Sequence, residues 1–168
     1  MSDGGDAAAF AFVSRWELSA PREAVWDALV DFNNWPRWWP ALEKVVETIH
    51  GGPDGIGQKA TAAWRGPFGY SLNMEIEAVE RIHPDYLRGV AAGDVEGEGV
   101  WRLGDGGDGW TSIEFDWNVR ATKRWMVALA PVARPLFVSG HDHVMKEGAQ
   151  GLANHLSCDL RDFSASAD

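Results

Sequence analysis

Two histidines, His141 and His155, are the residues best suited to do chemistry. Both fall on the apolar side of a helix that the sequence predicts over residues 134–163, within about 40° of the centre of that side. An imidazole there could donate a hydrogen bond to a carbonyl group or act as a general acid or base. The alternative is a buried neutral histidine bonded to a neighbour, which we favour for His155. For His141 both interpretations stay open.

The sequence His141-Asp142-His143 does not predict a metal site. Residues two apart on a helix point about 200° from one another, so both histidines cannot bind one ion. The i, i+4 spacing that can bind one is absent. His143 with Glu147, and Asp142 with Lys146, instead fit surface pairs one helical turn apart.

Other catalytic signatures are missing from the chain. We find no Ser-His-Asp order, phosphate-binding glycine loop or nucleotide fingerprint. Residues 104–109 (GDGGDG) share their spacing with calcium loops but lack the flanking helices and the terminal glutamate, so they predict a polar turn. We therefore expect neither a metal nor a cofactor.

The predicted helix is the element that must position the histidines. Pro135 lies near its start, where a proline loses no hydrogen bond, and its apolar residues recur at helical spacing. The apolar side comprises Phe137, His141, Val144, Met145, Gly148, Leu152, His155 and Leu156. Such a long stripe needs an equally long partner surface, which we expect to be a sheet.

Three glycines interrupt this helix, at Gly140, Gly148 and Gly151, and each costs about 1 kcal/mol relative to alanine. Close packing against tryptophans would explain them, and so would room for a ligand. The sequence leaves the two explanations open.

The apolar segment 121–135 precedes the helix and is interpreted as a connection packed over the end of the sheet. A second hypothesis places Trp125, Met126 and Leu129 at a cavity entrance or at a weak membrane-touching lip.

Strands account for most of the remaining chain, because apolar and polar residues alternate along it. Phe10, Phe12, Ser14, Trp16 and Leu18 share one face of the first strand. The predicted strands cover residues 10–19, 44–50, 58–65, 70–82, 86–95, 96–103 and 110–119. Residues 21–32 predict a short helix, and residues 35–40 predict a second short helix or a turn. Tight turns between the strands make this an antiparallel, α+β architecture.

Composition limits the classes of function. The 168 residues fit one domain, and a net charge of −10 argues against a nucleic-acid partner. Residues 1–7 predict a disordered tail without the features of a signal peptide. The longest apolar run, 125–138, is too short and too interrupted to cross a bilayer. We therefore expect a cytoplasmic protein without stable membrane insertion; its oligomeric state stays open.

Ten tryptophans are the compositional anomaly. They could fill a core, which composition alone favours, or line a cavity for a flat or hydrophobic ligand. The two adjacent tryptophans Trp38 and Trp39 are best explained as a wedge between the short helices and the sheet. The alternative is a role in gating ligand entry.

The order of motifs resembles the START-like, helix-grip superfamily, within it the polyketide cyclase/dehydrase and lipid-transport family. The residues that carry the resemblance are SAPREAVWDALVDF (19–32), WPRWWP (35–40), the Gly99-x-Trp101 strand, the TxIxFxW strand (111–117) and HxxVMxxGxxGL (141–152). The resemblance implies one domain over residues 1–168, ordered over 8–163. It also implies a curved seven-stranded antiparallel sheet around a long C-terminal helix, with a cavity between them.

Inward-facing residues near that cavity are the candidate ligand-binding residues: Trp16, Trp64, Tyr70, Leu72, Met74, Trp101, Thr111, Phe115, Trp117, Phe137, His141 and Met145. Nearly all are apolar, so we expect a hydrophobic or aromatic ligand oriented by Tyr70, Thr111 or His141. Two alternatives stay open. One is a polyketide cyclase or dehydratase with His141 as acid or base, and the other is a co-chaperone-like interaction module with a collapsed cavity.

Overall fold

The computed structural model describes residues 6–168, so most of the predicted 1–7 tail lies outside the described residues. In chain order the elements are β1 (Ala9–Leu18), α1 (Arg22–Val30), a 3₁₀ helix (Phe32–Arg37), β2 (Leu42–Ile49), β3 (Lys59–Arg65), β4 (Ser71–Ile82), β5 (Tyr86–Gly93), β6 (Val95–Gly107), β7 (Trp110–Ala121), α2 (Arg124–His155) and β8 (Leu160–Ala167).

The strands form a single antiparallel sheet in the order β2-β3-β4-β5-β6-β7-β1-β8. Strand β1, the first in the chain, pairs with β7 on one side and with β8 on the other. Register shifts interrupt the β2–β3 and β4–β5 ladders, and such bulges bend a sheet. Helix α2 packs on the inner face, which makes this the predicted helix-grip fold.

The alternation along β1 is confirmed. Phe10, Phe12, Ser14, Trp16 and Leu18 are all buried on the inner face. Residues between them are at least partly exposed, as expected for a strand with one face in the core.

The bounds predicted for the long helix were wrong at both ends. Helix α2 begins at Arg124, ten residues before the predicted start, and includes Pro131 and Pro135 in its interior. Most of the segment interpreted as a connection is therefore helix. Met126 and Ala130, both buried, pack this extra length into the core, and such tertiary contacts offset the hydrogen bonds that the prolines remove.

Helix α2 ends at His155, and the chain then reverses into an eighth strand. The reversal uses Ser157 in the left-handed region (φ 52°), and the Cys158 amide donates to the Ala153 carbonyl. His155 is exposed in this last turn, so its interpretation as a buried histidine was wrong. Strand β8 pairs with β1 from Phe12 to Leu18, so the sheet has eight strands rather than seven.

The predicted polar loop over 104–109 is mostly strand. Strand β6 continues to Gly107, and the turn is confined to Asp108 and Gly109, both with positive φ. The short helix predicted after the first strand is confirmed as α1. The second short helix or turn, predicted over residues 35–40, is a 3₁₀ helix that begins and ends three residues earlier.

Candidate functional site

The inner face of the sheet and α2 enclose a cavity of about 180 Å³. Residues from β1, the 3₁₀ helix, strands β3 to β7 and α2 form its wall. The sheet contributes a ladder of aromatic rings, in which Phe115 stacks on Trp101 with 4.1 Å between ring centroids and on Trp117 with 5.8 Å. The wall is therefore rich in aromatic rings, and a ligand would meet flat apolar surfaces.

Ten of the twelve candidate residues line this cavity: Trp64, Tyr70, Leu72, Met74, Trp101, Phe115, Trp117, Phe137, His141 and Met145. Nine of them come from five different elements and Tyr70 from the turn before β4, and the helix-grip fold brings them together.

Trp16 and Thr111 are corrections, because neither lines the cavity. Trp16 lies behind the wall, where its ring meets Trp39 and Trp101 edge-on at 6.3 and 5.5 Å. The Thr111 hydroxyl donates to the Ala20 carbonyl at 2.6 Å, so it ties β7 to the start of α1. It cannot at the same time donate to a ligand.

The sequence analysis missed several wall residues, chiefly Phe10, Phe12 and Trp39. The alternation of β1 did place Phe10 and Phe12 inward, but it gave no sign that they border a void. Trp39 is both the predicted wedge and part of the wall, since it meets Trp64 edge-on at 5.0 Å.

His141 is an ionisable residue of the wall, and its side chain is 15% exposed. Its ring stacks on Phe12 with 3.8 Å between centroids and an interplanar angle of 14°. Nδ1 is buried and has no hydrogen-bond partner among residues 6–168; Asp142 Oδ1 lies 3.9 Å away, too far for a hydrogen bond. Burial lowers the pKa of His141, and the neighbouring Asp142 opposes this only in part. The imidazole is therefore neutral at neutral pH.

Tyr70 supplies a phenol on the same wall. Its ring meets Phe137 edge-on at 6.2 Å, and a Cβ at Gly140 would come within 2.7 Å of its hydroxyl oxygen. Burial raises the pKa of Tyr70, so the phenol stays protonated and able to donate.

Trp64 adds a third polar atom to the wall. Its Nε1 is buried and has no hydrogen-bond partner within the described part of the chain. An unpaired buried N–H costs about 1–3 kcal/mol. A ligand oxygen accepting from it would recover that cost.

Close packing explains the three glycines of α2. A Cβ at Gly148 would lie 2.5 Å from the Trp39 indole, and one at Gly151 would overlap the carbonyl oxygen of Trp38. At Gly140 it would meet Tyr70, a wall residue. Trp39 reinforces the contact by donating from Nε1 to the Val144 carbonyl at 2.9 Å.

The two neighbouring histidines diverge, as the helical geometry predicted. His143 is exposed and lies 3.3 Å from Glu147, whereas His141 points inward. Among residues 6–168 no cluster of three or more His, Cys, Asp or Glu side chains has the arrangement of a metal site. Over the same residues, no helix combines the length and the apolar character needed to span a bilayer.

A pH-dependent stability follows from the burial of His141. Its folded pKa lies below its unfolded value of 6.5, so the stability that neutral His141 contributes is complete above that pH. This contribution is lost as the pH falls from 6.5 through the folded pKa, because in that range the unfolded chain binds a proton at His141 more readily than the folded chain does. We expect the wild type to lose more unfolding free energy than His141→Gln between about pH 7.5 and pH 5, by at most about 1.4 kcal/mol per pH unit.

Urea unfolding across this pH range measures the difference. His143→Gln on the same helix is the matched control and should follow the wild type. Parallel curves for the wild type and His141→Gln would contradict a neutral, buried His141.

Comparisons with known proteins agree with this geometry. A family model described as polyketide cyclase / dehydrase and lipid transport matches residues 9–157. No curated protein matches the chain in sequence.

Solved structures share the fold at low sequence identity. A conserved protein from Geobacillus kaustophilus is 16% identical over 90% of this chain and 99% of its own, with a TM-score of 0.71. A START superfamily protein from Mycobacterium smegmatis is 17% identical over 88% and 97%, also with a TM-score of 0.71. The Zhui aromatase/cyclase from Streptomyces sp. R1128 is 15% identical over 88% and 94%, with a TM-score of 0.66.

Proposed function

The chain belongs to the polyketide cyclase/dehydrase and lipid transport family, and on that premise we propose that it binds an uncharged hydrophobic or aromatic small molecule, lipid-like or polyketide-like, in the cavity between the sheet and α2. The family match and the START-like structural neighbours confirm the resemblance that the sequence motifs indicated.

The observation that carries the proposal is the chemistry of the cavity wall. Its residues are mainly apolar, and eleven of them are Phe, Trp or Tyr. An apolar cavity of about 150 Å³ takes up benzene in another protein. A void of about 180 Å³ is thus large enough for a small aromatic ring system. Affinity would come from apolar burial, at about 25 cal/mol per Å² of surface removed from water.

Polar atoms on the wall favour a ligand that carries oxygen but no charge. Trp64 Nε1 and Tyr70 Oη can donate, and the neutral His141 can donate or accept. The charged wall residues are already paired, Arg65 with Glu43 and Glu77 with Lys59 at 3.5 Å. A ligand carboxylate or ammonium would therefore lack a free counter-charge.

A polyketide cyclase or dehydratase activity is the second candidate. One observation favours it: His141 and Tyr70, both able to move protons, share the cavity wall. Some structural neighbours are aromatase/cyclases by name. We rank binding first because, within residues 6–168, no carboxylate hydrogen-bonds to His141 Nδ1 to orient the ring.

The interaction-module alternative required an interior filled by its tryptophans. The cavity beside His141 argues against it.

Filling the cavity tests the proposed function. Leu72→Trp puts a larger ring on the wall, so the affinity for N-phenyl-1-naphthylamine, an uncharged aromatic probe, should fall at least about tenfold because the probe loses apolar contact. Probe fluorescence during titration measures the affinity. Stability should be unchanged or higher, since the void is filled rather than enlarged.

Ile82→Trp is the matched control. Ile82 ends the same strand, is 55% exposed and does not line the cavity, so probe affinity should stay within about twofold of the wild type. Equal affinity of the wild type and Leu72→Trp for the probe would contradict the proposed binding in this cavity. Mass spectrometry of the native protein would identify any molecule that co-purifies.

A further inference from the structure

Two sealed polar atoms face each other where α2 meets the cavity wall. His141 Nδ1 and Asp142 Oδ1 are both buried, and within residues 6–168 neither has a hydrogen-bond partner. They lie 3.9 Å apart, which is too far for a hydrogen bond but close enough for a strong electrostatic influence. The Asp142 carboxylate is therefore the charge that acts on this imidazole.

A carboxylate beside Nδ1 decides which ring nitrogen carries the proton. In a neutral imidazole one nitrogen bears hydrogen and the other bears a lone pair. The Asp142 oxygen attracts an N–H at Nδ1 and repels a lone pair there, so the proton lies on Nδ1. The same charge disfavours the ring rotated by half a turn, which would replace this N–H by a less polar C–H. Nε2 is left with the lone pair.

The open edge of the ring lies on the Nε2 side. Phe12 stacks on the ring face, with 3.8 Å between centroids and an interplanar angle of 14°, and so holds the plane of the ring. The His141 side chain lines the cavity and keeps 15% of its surface exposed although Nδ1 is sealed. Nε2 is not among the sealed, unpaired atoms of residues 6–168. A ligand in the cavity can therefore reach the lone pair of Nε2.

We propose that Asp142 is a positioning residue that fixes the tautomer of His141, and that the cavity thereby selects a ligand with an uncharged O–H or N–H group that donates to His141 Nε2. This inference rests on the proposed function and deepens it, because it gives one hydrogen bond between protein and ligand a direction. A carbonyl or ether oxygen at the same place would bring its lone pairs against the lone pair of Nε2. Such a ligand would leave Nε2 without a partner.

Nuclear magnetic resonance of protein with nitrogen-labelled histidines tests the tautomer without any ligand. A ring nitrogen that bears hydrogen and one that bears a lone pair have well-separated shifts, and His141→Gln identifies the signals of this ring. Above neutral pH we expect the wild-type proton on Nδ1. Asp142→Ala should change the ratio of the two tautomers at least about fivefold toward Nε2–H, because the charge that favours Nδ1–H is gone.

Glu147→Ala is the matched control on the same helix. Glu147 lies 3.3 Å from Nε2 of the exposed His143, so its removal should alter the signals of His143 and leave those of His141 unchanged. A wild-type His141 with its proton on Nε2 would overturn the proposal, whether or not the Asp142 variant folds. A tautomer ratio that Asp142→Ala leaves at the wild-type value would overturn it as well.

Two aromatic probes of similar volume test the selection of a donor. 2-Naphthol has a hydroxyl group where 2-methylnaphthalene has a methyl group, so only the first can donate. His141→Phe keeps a ring against Phe12 but has no acceptor. The preference for 2-naphthol, taken as the ratio of the two affinities, should fall at least about fivefold in His141→Phe, since one neutral hydrogen bond is lost. It should fall in the same direction in Asp142→Ala and stay unchanged in Glu147→Ala.

N-phenyl-1-naphthylamine, titrated in parallel, separates the two ways in which the experiment can fail. If this probe binds and the preference for 2-naphthol is the same in the wild type and His141→Phe, the inference is overturned while the proposed function stands. If none of the three probes binds the wild type, the proposed function fails, and the selection of a donor fails with it.

Discussion

Replacing Gly151 by alanine should lower the free energy of unfolding by about 3 kcal/mol or more, the upper end of the cost of overpacking. Alanine by itself would favour the helix by about 1 kcal/mol. However, a Cβ at this position would overlap the carbonyl oxygen of Trp38, which is backbone and cannot rotate away. Trp38 is 4% exposed and stacks on Trp39 with 5.2 Å between centroids, so the segment has little room to retreat.

Urea or thermal unfolding measures this loss, which corresponds to a fall in melting temperature of roughly 6–12 °C. Lys146→Ala, at an exposed position of the same helix, is the control and should stay within about 0.5 kcal/mol of the wild type. If Gly151→Ala were as stable as the wild type, α2 would not pack against the Trp38 backbone as closely as described.

This contact illustrates what the sequence could and could not predict. The alternation along β1 and β4 follows from local geometry, because one face of each strand meets the core. It therefore predicted the inward residues correctly. Gly151 also stood out as costly in a helix. However, only the structure shows that the atom packed against it is the backbone carbonyl oxygen of Trp38.

Helix bounds and the last strand depended on contacts distant in sequence. Pro135 indicated a helix start, whereas the burial of Met126 and Ala130 carries the helix past both Pro131 and Pro135. Residues 163–167 do alternate between apolar and polar side chains, but two of the three apolar residues are alanines and their side of β8 is only half-buried, so the pattern is weak. Their strand state comes from pairing with β1, more than 140 residues earlier in the chain.

The sequence predicted the chemical character of the cavity wall but not which residues form it. The sequence indicates which side chains point inward, but whether an inward side chain borders a void depends on its neighbours. Trp16 faces inward and is covered by Trp39 and Trp101. Trp39 comes from a segment without strand or helical periodicity, so no pattern could place it on the wall.

Replacing Trp39 by alanine should have two effects, and the second should separate it from the adjacent Trp38. It should destabilise the fold by about 3–5 kcal/mol, the usual cost of truncating a buried tryptophan. Trp39 is 2% exposed and loses both its hydrogen bond to Val144 and its contact with Trp64. Because it also lines the cavity, its removal should enlarge the cavity and let the protein bind a larger uncharged dye such as Nile red.

Trp38→Ala is the matched control for the second effect. Trp38 is as deeply buried, at 4% exposure, but it does not line the cavity. Its truncation should cost similar stability and leave the preference between N-phenyl-1-naphthylamine and Nile red unchanged. Trp39→Phe keeps a ring in place and should give an intermediate preference if the alanine variant does not fold. If Trp38→Ala and Trp39→Ala changed dye preference equally, the effect would come from general loosening, and Trp39 would not set the size of the site.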